Sequence, residues 1–333
     1  MTEARVLRLG DRGDSVRELR QRLARLGVGA APGQEFDATT EAALRAFQVQ
    51  RGLRVDGICG PETWGALIES GYRLGDRLLY LSKPMLRGDD VGDLQRHLNA
   101  LGFDAGREDA ILGPETETAV RAFQRNAGIA ADGVCGPSTL RALERVSGLA
   151  AGSVATVRER EQLRREAQQL AGLRIFLAGD PALASLTATL RDALGDLGAI
   201  IGLDTSGDDA SIVAAEANRF AAGLFIALEL GTDSCVQCSY FANKTFRSEA
   251  GFCVAARLTE ALQSVLEGVE EPVGRTTRFL RETRMAAVVC EVVAPGDMEA
   301  TTALVAHQAD VVRALVEGIR RGVEDPPALR VAL

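Results

Sequence analysis

Two glutamates interrupt apolar segments that otherwise predict buried strands. The segment 223–231 reads GLFIALELG and contains Glu229 as its only charged residue; the segment 285–293 reads MAAVVCEVV and contains Glu291. An unpaired carboxylate is costly to bury, so a charge near the end of a strand needs a partner, solvent or a chemical role. Carboxylates act as general bases or metal ligands when other groups converge on them. The residues around these two glutamates therefore decide their role.

Histidine, a frequent metal ligand and acid–base residue, occurs only twice in the chain. His97 falls on the polar side of its predicted helix, which favours an exposed surface side chain over a ligand. His307 falls on the last predicted helix. We could assemble no Ser-His-Asp or Cys-His arrangement from the sequence, so a nucleophilic hydrolase mechanism is not favoured.

The six cysteines are too few for a disulfide framework in a chain of 333 residues. Cys235 and Cys238 form a C-x-x-C motif, but on a strand these two positions face opposite sides of the sheet. A structural zinc site that also uses Cys253 and Cys290 is conceivable, although an isolated C-x-x-C is a weak signal. We therefore expect six free thiols and no metal or other cofactor.

Length and composition predict a soluble globular protein of two or three domains. Of its residues 46% are hydrophobic and 25% charged, and no segment approaches a membrane span. The N-terminal segment lacks the apolar stretch of a secretory signal, so we expect a cytoplasmic location. The net charge of −8 argues against nucleic-acid binding, which requires a basic surface.

The first half of the chain contains an internal repeat with a period of about 75 residues. LRQRLARLG at 19–27 recurs as LQRHLNALG at 94–102, and RAFQ at 45–48 recurs at 121–124. Helical apolar spacing, Leu-Gly helix ends and Gly-Pro helix starts predict three helices in each copy. We assign repeat 1 to residues 5–72 and repeat 2 to residues 79–147. Cys59 and Cys135 occupy equivalent loop positions and are expected to fill an apolar pocket in each repeat.

The second half predicts an α/β domain. Residues 148–171 pass from a Gly/Ala/Ser-rich stretch into a charged helix, which indicates a linker and a connecting helix. Predicted strands and helices then alternate, so we expect a mostly parallel sheet covered on both faces over residues 172–322, followed by a tail at 323–333. The predicted strands are 173–179, 199–205, 224–230, 235–241 and 285–293, and the predicted helices are 186–197, 210–222, 249–266 and 298–320.

Both repeats resemble the peptidoglycan-binding-1 family along nearly their whole length. The matching residues are the pattern GD…VxxLQxxLxxLG, followed by AVxxFQ and DGxxGPxT. The resemblance implies a three-helix fold and binding of peptidoglycan-like glycopeptides.

The α/β part resembles the zinc-dependent N-acetylmuramoyl-L-alanine amidases of the amidase-3 type over residues 172–322. The matching stretches are RIFLAGDPALAS from 174, AAEANRFAAGLFIALELG from 214 and TRMAAVVCEVVAPGDMEA from 283. Such enzymes hold zinc with two histidines and a glutamate, and a further glutamate acts as general base. In the alignment Leu183 replaces the first histidine, Glu229 replaces the second and Glu291 matches the general base; the loop with the ligand glutamate is missing after Pro181. The resemblance thus implies a pseudo-amidase whose relic positions are Leu183, Glu229 and Glu291.

The combination of two such repeats with a damaged amidase domain resembles the CwlM-like regulators of actinobacteria. The closest stretches lie at 69–80, 87–103 and 278–292. This resemblance implies a cytoplasmic, non-hydrolytic regulator of cell wall biogenesis that binds UDP-N-acetylglucosamine 1-carboxyvinyltransferase (MurA). We expect the amidase domain to be the main contact surface, because a fold that has lost its ligands still presents a rigid surface. In that group a threonine in a C-terminal tail is phosphorylated, whereas here no threonine follows Thr302. Thr156, before a charged helix, is the candidate switch in its place.

Two other functions stay open on the sequence. The fold and Glu291 are compatible with an amidase that cleaves the bond between muramic acid and L-alanine. Alternatively, the repeats or the relic cleft could bind a muropeptide or a lipid-linked peptidoglycan precursor, which would make the protein a sensor.

Overall fold

A computed structural model describes residues 6–29, 32–146, 169–231, 235–243, 246–293, 304 and 307–324. The chain divides into two compact units, residues 1–158 and 159–333. Thr156, most of the expected linker and most of the expected tail lie outside the described residues.

The first unit is helical and consists of two similar three-helix repeats. Repeat 1 contains α1 (Asp14–Arg25), α2 (Ala38–Arg51) and α3 (Pro61–Glu69); repeat 2 contains α4 (Asp89–Ala100), α5 (Pro114–Asn126) and α6 (Pro137–Val146). Two helices begin at residues typical of helix starts. The Asp37 carboxylate caps α2 by accepting a hydrogen bond from the backbone N–H of Thr40, and Pro61 is the first residue of α3, as the Gly-Pro pattern predicted. The predicted three-helix organisation of each copy is confirmed.

Each repeat encloses its own apolar core, and a cysteine belongs to each. The core of repeat 1 contains Phe36, Phe47 and Cys59, and that of repeat 2 contains Leu112 and Cys135. Burial raises the pKa of both thiols to about 12, so little of the reactive thiolate is present, and both side chains fill space in their cores, as expected.

A buried glutamine fixes the turn before a helix at three places in this unit. Each glutamine side chain donates to an aspartate carboxylate and a backbone carbonyl of the turn, and accepts from a backbone N–H there. The three glutamine–aspartate pairs are Gln48–Asp56, Gln95–Asp109 and Gln124–Asp132. Because every polar atom of the buried amide is satisfied, the turns are held rigidly between the helices.

The second unit is an α/β domain, which confirms the predicted fold class. Its strands are β1 (Arg174–Gly179), β2 (Ile200–Asp204), β3 (Leu224–Leu230), β4 (Gln237–Phe241), β5 (Val273–Arg275) and β6 (Ala286–Val293). They form one sheet in the order β2-β1-β3-β6-β4-β5. Strands β1, β2, β3 and β6 are mutually parallel, whereas β4 runs antiparallel to β6 and parallel to β5.

Helices cover both faces of this sheet. They are α7 (Ala184–Asp196), α8 (Ala210–Arg219), α9 (Glu249–Leu262), α10 (Arg278–Glu282) and α11 (Gln308–Glu324). Helices α7, α9 and α11 contribute to one large core with Leu177, Ile226, Leu228 and Cys290. On the opposite face Phe176 stacks on Phe225 with 6.1 Å between ring centroids, and Phe279 of α10 lies 5.4 Å from Phe225. We predicted neither β5 nor α10. Of the helix that we predicted over 298–320, residues 298–303, 305 and 306 lie outside the described part, residue 304 is helical, and α11 begins at Gln308.

Candidate functional site

Leu183, which we aligned with the first histidine of the amidase pattern, is part of the apolar core. It ends a single 3₁₀ turn, Pro181–Leu183, which follows β1 and leads directly into α7. The Asp180 carboxylate caps this turn by accepting from the backbone N–H of Ala182 at 2.8 Å. The Leu183 side chain packs in the core cluster with only 6% of the residue exposed. A hydrocarbon side chain buried in this way offers no metal ligand.

Glu229 and Glu291 are direct neighbours across β3 and β6. They are partners in the parallel register, so both side chains lie on the same face as Phe225. The register shifts immediately after Glu229, which marks a bulge or irregularity beside the two carboxylates. Glu229 is half-buried and makes contacts of its own, and Glu291 is buried with 8% exposure. The structure thus brings these two predicted positions together and keeps Leu183 in the core.

An arginine that sequence reasoning did not identify holds the Glu291 carboxylate. Arg275 of β5 donates from one terminal nitrogen to Glu291 Oε1 at 2.9 Å and from the other to Gln237 Oε1 at 2.6 Å. Gln237 is in turn the register partner of Glu291 across β4 and β6, and its Nε2 donates to Glu270 at 3.0 Å. The side chains of Arg275 and Glu291 are only 15% and 11% exposed.

This ion pair limits what Glu291 can do. A general base must offer a lone pair to the proton it removes, whereas Oε1 of this carboxylate already accepts a charge-assisted hydrogen bond from the Arg275 guanidinium. Since the pair is shielded from water, it also neutralises the charge that would activate a nucleophile. The arrangement is well suited to holding β4, β5 and β6 together.

Polar contacts attach α10 to α8 on the sheet face that contains Glu229 and Glu291. Arg278 donates to Asp209 at 2.9 Å, and Ser211 donates to Glu282 at 3.1 Å. The Asn218 amide donates to the backbone carbonyl of Glu282 and accepts from the backbone N–H of Arg284. These bonds fix the short helix α10 over the phenylalanine stack.

Neither histidine belongs to the Glu229–Glu291 site. His97 contacts the backbone oxygen of Asp93, one turn earlier in α4, at 2.7 Å through Nδ1. His307 is exposed, and its Nδ1 lies 3.9 Å from Asp310 of the following helix. Both histidines thus make local contacts within their own helical segments.

The cysteines form one close pair that the sequence did not predict. Cys238 of β4 and Cys290 of β6 are register partners whose Sγ atoms lie 3.3 Å apart, on the opposite face from Glu291. Cys235 is half-buried and Cys253 lies buried in α9. Six thiols are free, with no disulfide in the structure.

The zinc that the amidase pattern implies does not fit these residues. In the alignment made from the sequence, Leu183 and Glu229 stand at two of the ligand positions; Leu183 is buried in the core, and Glu291 is paired with Arg275. Within the described ranges, no group of three or more His, Cys, Asp or Glu side chains is arranged to hold a metal ion. The described side chains at these positions therefore do not form the donor set of an amidase zinc site.

Two surfaces of the helical unit could meet a ligand. An open cavity of about 370 Å³ in repeat 1 is lined by Arg8, Asp11, Arg12, Asp14 and Ser15, together with Val6, Leu7 and Gly13. In repeat 2, four large apolar side chains are exposed close together in sequence: Leu78, Tyr80, Leu81 and Met85. In the described part of the chain, no helix has the length and apolar character needed to cross a membrane.

Comparison with known protein families identifies both repeats. The peptidoglycan binding domain family PG_binding_1 matches residues 12–67 and 87–143. These two matches fall on the two three-helix units.

Comparison with curated proteins gives a relative of similar length. The chain is 36% identical over 334 residues to "N-acetylmuramoyl-L-alanine amidase CwlM" of Mycobacterium tuberculosis, a match covering 86% of this chain and 81% of that protein. It is 32% identical over 158 residues to "N-acetylmuramoyl-L-alanine amidase CwlL" of Bacillus licheniformis, covering 40% of this chain and 44% of that protein.

Solved structures of amidases also align with part of the chain. The N-acetylmuramoyl-L-alanine amidase of Clostridium difficile 630 aligns with a TM-score of 0.40 and 13% identity, over 46% of this chain and 98% of that one. The amidase Ami1 of Mycobacterium smegmatis aligns with a TM-score of 0.39 and 15% identity, over 47% of this chain and 99% of that one.

Proposed function

The chain belongs to the family of the N-acetylmuramoyl-L-alanine amidase CwlM, and from this premise we propose that it is a non-catalytic regulator of peptidoglycan precursor synthesis. It acts by binding UDP-N-acetylglucosamine 1-carboxyvinyltransferase (MurA) in the cytoplasm. The observation that carries the non-catalytic part is the ion pair of Arg275 with Glu291, the residue in the position of the general base. Leu183, buried in the core where a ligand would be needed, supports the same conclusion.

The proposed contact with the transferase follows from the resemblance to CwlM-like regulators. An α/β domain that keeps its sheet and helices but lacks the ligand set still presents a rigid surface. We place the main contact on residues 172–322 and a phosphorylation switch at Thr156 in the linker.

The non-catalytic proposal is tested by metal content and hydrolysis together. The purified chain should contain far less than one zinc per molecule and should release no stem peptide from murein. Two variants accompany the wild type: Arg275→Met removes the partner of the Glu291 carboxylate, and Glu291→Gln removes the carboxylate itself. If the wild-type chain holds one zinc and hydrolyses murein, and Glu291→Gln abolishes that release, the non-catalytic proposal is rejected.

The regulatory proposal is tested with the transferase from the same organism. We expect a complex by size exclusion and a changed rate of phosphate release from phosphoenolpyruvate when the two purified proteins are mixed. An unchanged rate without a complex, both before and after treatment with a Ser/Thr kinase, would reject this partner.

Two alternatives have a specific observation each. The names of the similar proteins favour an amidase that cleaves peptidoglycan, and the murein assay above decides that case. The polar cavity of repeat 1 favours a sensor of a muropeptide or precursor. Calorimetric titration with a soluble muropeptide, with Arg8→Ala and Arg12→Ala as variants, separates a sensor from a protein-binding regulator.

A further inference from the structure

Cys238 and Cys290 are placed opposite each other on two antiparallel strands. They are direct register partners between β4 and β6, and their Sγ atoms lie 3.3 Å apart. Both residues are fully buried, at 0% exposure, in the core on the α9 side of the sheet. The Cα atoms of antiparallel partners are about 4.5–5.5 Å apart, a separation that a disulfide spans. The pair can therefore be linked without moving either strand far.

The other cysteines have different surroundings. Cys59 and Cys135 belong to the separate cores of the two repeats. Cys235 lies three residues before Cys238 in the chain and is half-buried, which makes it a matched control on the same segment.

We propose that Cys238 and Cys290 are a redox-modification site, at which a peroxide closes a reversible cross-strand disulfide. The sulfur of one thiol attacks a peroxide oxygen, which breaks the O–O bond and gives a sulfenic acid and one water. The second thiol sulfur then displaces the hydroxyl group of the sulfenic acid, which leaves with the thiol proton as a second water. The two cysteines lose two electrons and two hydrogens in total, and the peroxide is reduced to two waters.

The position of the pair sets the rate of this reaction. The hydrogen bond with Cys238 and burial in the core both raise the pKa of the Cys290 thiol. The reactive thiolate is therefore scarce while the sheet is closed. The neighbouring residue Gln237 is half-exposed and begins β4, so the pair lies one residue inside the end of a strand. Opening of that end exposes the thiols transiently, and we expect oxidation over minutes to hours and not seconds.

The disulfide would act on the face that contains Glu291. Cys238 follows Gln237 and Cys290 precedes Glu291, the two acceptors of Arg275. A covalent link between β4 and β6 holds these acceptors at a fixed separation and prevents the sheet from opening there. This inference does not depend on the transferase being the partner.

The test treats the full chain with excess hydrogen peroxide, blocks remaining thiols, and maps cross-linked peptides by mass spectrometry. We expect the mass of the chain to fall by two hydrogens and four of the six thiols to be alkylated. One pair of peptides should be joined through Cys238 and Cys290, and dithiothreitol should reverse the link fully. Cys238→Ala and Cys290→Ala should abolish the link, whereas Cys235→Ala should retain it.

Two outcomes would overturn the proposal, and neither requires a variant to fold. One is that the native wild-type chain keeps six alkylatable thiols, or gains only oxygen, under conditions that form disulfides in the urea-unfolded chain. The other is a link that joins Cys235 or Cys253 in place of the proposed pair.

Discussion

At the residue scale, the guanidinium of Arg275 lies between acceptors that two strands present on one face, the Oε1 atoms of Glu291 and Gln237. A buried ion pair adds little net stability compared with a well-packed apolar pair, but the loss of one partner leaves a desolvated charge. Arg275 is therefore required because Glu291 is present. The same reasoning explains how the Glu291 carboxylate is tolerated in the sheet.

Arg275→Met should lower the free energy of unfolding of the α/β unit by about 3 kcal/mol, because the Glu291 carboxylate loses its partner. Glu291→Gln should cost less, since a neutral amide is cheaper to leave in this site. The double variant should recover part of the Arg275→Met loss. The measurement is the urea concentration at which buried Cys253 becomes alkylated. Equal and additive effects of the two single changes would show that the pair has no such coupling.

The Asp37 carboxylate gives repeat 1 a pH-dependent stability. Hydrogen bonds from the side chains of Thr39 and Thr40, and then one from Arg20, hold its pKa well below its usual range. A lowered pKa in the folded state means that this stability is present above the unfolded pKa of about 3.9 and is lost as the pH falls below it.

Asp37→Asn should flatten the acid dependence of repeat 1, because asparagine keeps the helix cap but does not titrate. Fluorescence of Trp64, the single tryptophan of the chain, reports this repeat. We expect the urea midpoint of the wild type to fall more steeply than that of the variant between about pH 5 and about pH 2.5. Asp14→Asn, at an exposed ion pair with Arg17, is the control. Parallel pH profiles for wild type and Asp37→Asn would contradict the assignment.

Only part of the site could be predicted from the sequence. Leu183 and Glu229 could be identified as departures from a motif because motif positions are local in sequence. Arg275 could not, because its contact with Glu291 spans 16 residues and depends on a short strand added at the sheet edge. The Cys238–Cys290 pair was missed for the same reason, since antiparallel register is not visible in either strand alone.

At the element scale, the glutamine-bound turn of the helical unit recurs more often than the repeat of about 75 residues suggested. Gly57 and Gly133 occupy the positive-φ position of the turn at 71° and 76°, and Ala110 occupies it at 61°. Arg20 takes the place of the glutamine in α1, donating to the Glu35 carbonyl and the Thr40 hydroxyl. Each repeat thus contains the same helix–turn arrangement twice. This inner similarity escaped sequence analysis because Arg20 and Ala110 alter its most recognisable positions.

Two glycines allow α9 and α11 to pack closely. A Cβ atom at Gly318 would lie 2.8 Å from the Leu258 Cα, and one at Gly322 would lie 2.8 Å from the Val254 Cα. Both clashes are with backbone atoms, which cannot rotate away. The spacing of four residues places both glycines on one side of α11.

Gly318→Ala should destabilise the α/β unit by about 1–3 kcal/mol, because the added methyl forces the two helices apart. Gly195→Ala in α7 is the matched control: its Cβ would meet nothing within 4 Å, so the better helix propensity should stabilise by up to about 1 kcal/mol. Urea-dependent alkylation of Cys253 measures both. Similar effects of the two substitutions would show that α9 and α11 are not closely packed at Gly318.

Element prediction succeeded where the pattern was long and failed where it was short. The four parallel strands are apolar runs of five to eight residues, which periodicity detects. Strand β5 has three residues and α10 has five. Their positions are set by pairing with β4 and by contacts with α8, and these are tertiary effects that a local pattern does not contain.

At the scale of the whole molecule, separate apolar cores indicate units that fold on their own. The core of the α/β unit contains residues 170–319, and those of the two repeats contain residues 7–67 and 79–143. The internal repeat and the alternation of strands and helices were the reasons to expect separate helical and α/β domains from the sequence.

Because each unit has its own core, two fragments can locate the proposed contact with the transferase. The fragments 1–146 and 169–333 should each fold, the first shown by cooperative unfolding of Trp64 fluorescence and the second by protection of Cys253 from alkylation. If the α/β unit supplies the contact surface, fragment 169–333 should form the complex and change phosphate release as the full chain does. Fragment 1–146, at equal concentration, should do neither. If only fragment 1–146 binds, the contact lies in the repeats, and the relic amidase unit has another role even though the proposed partner is correct.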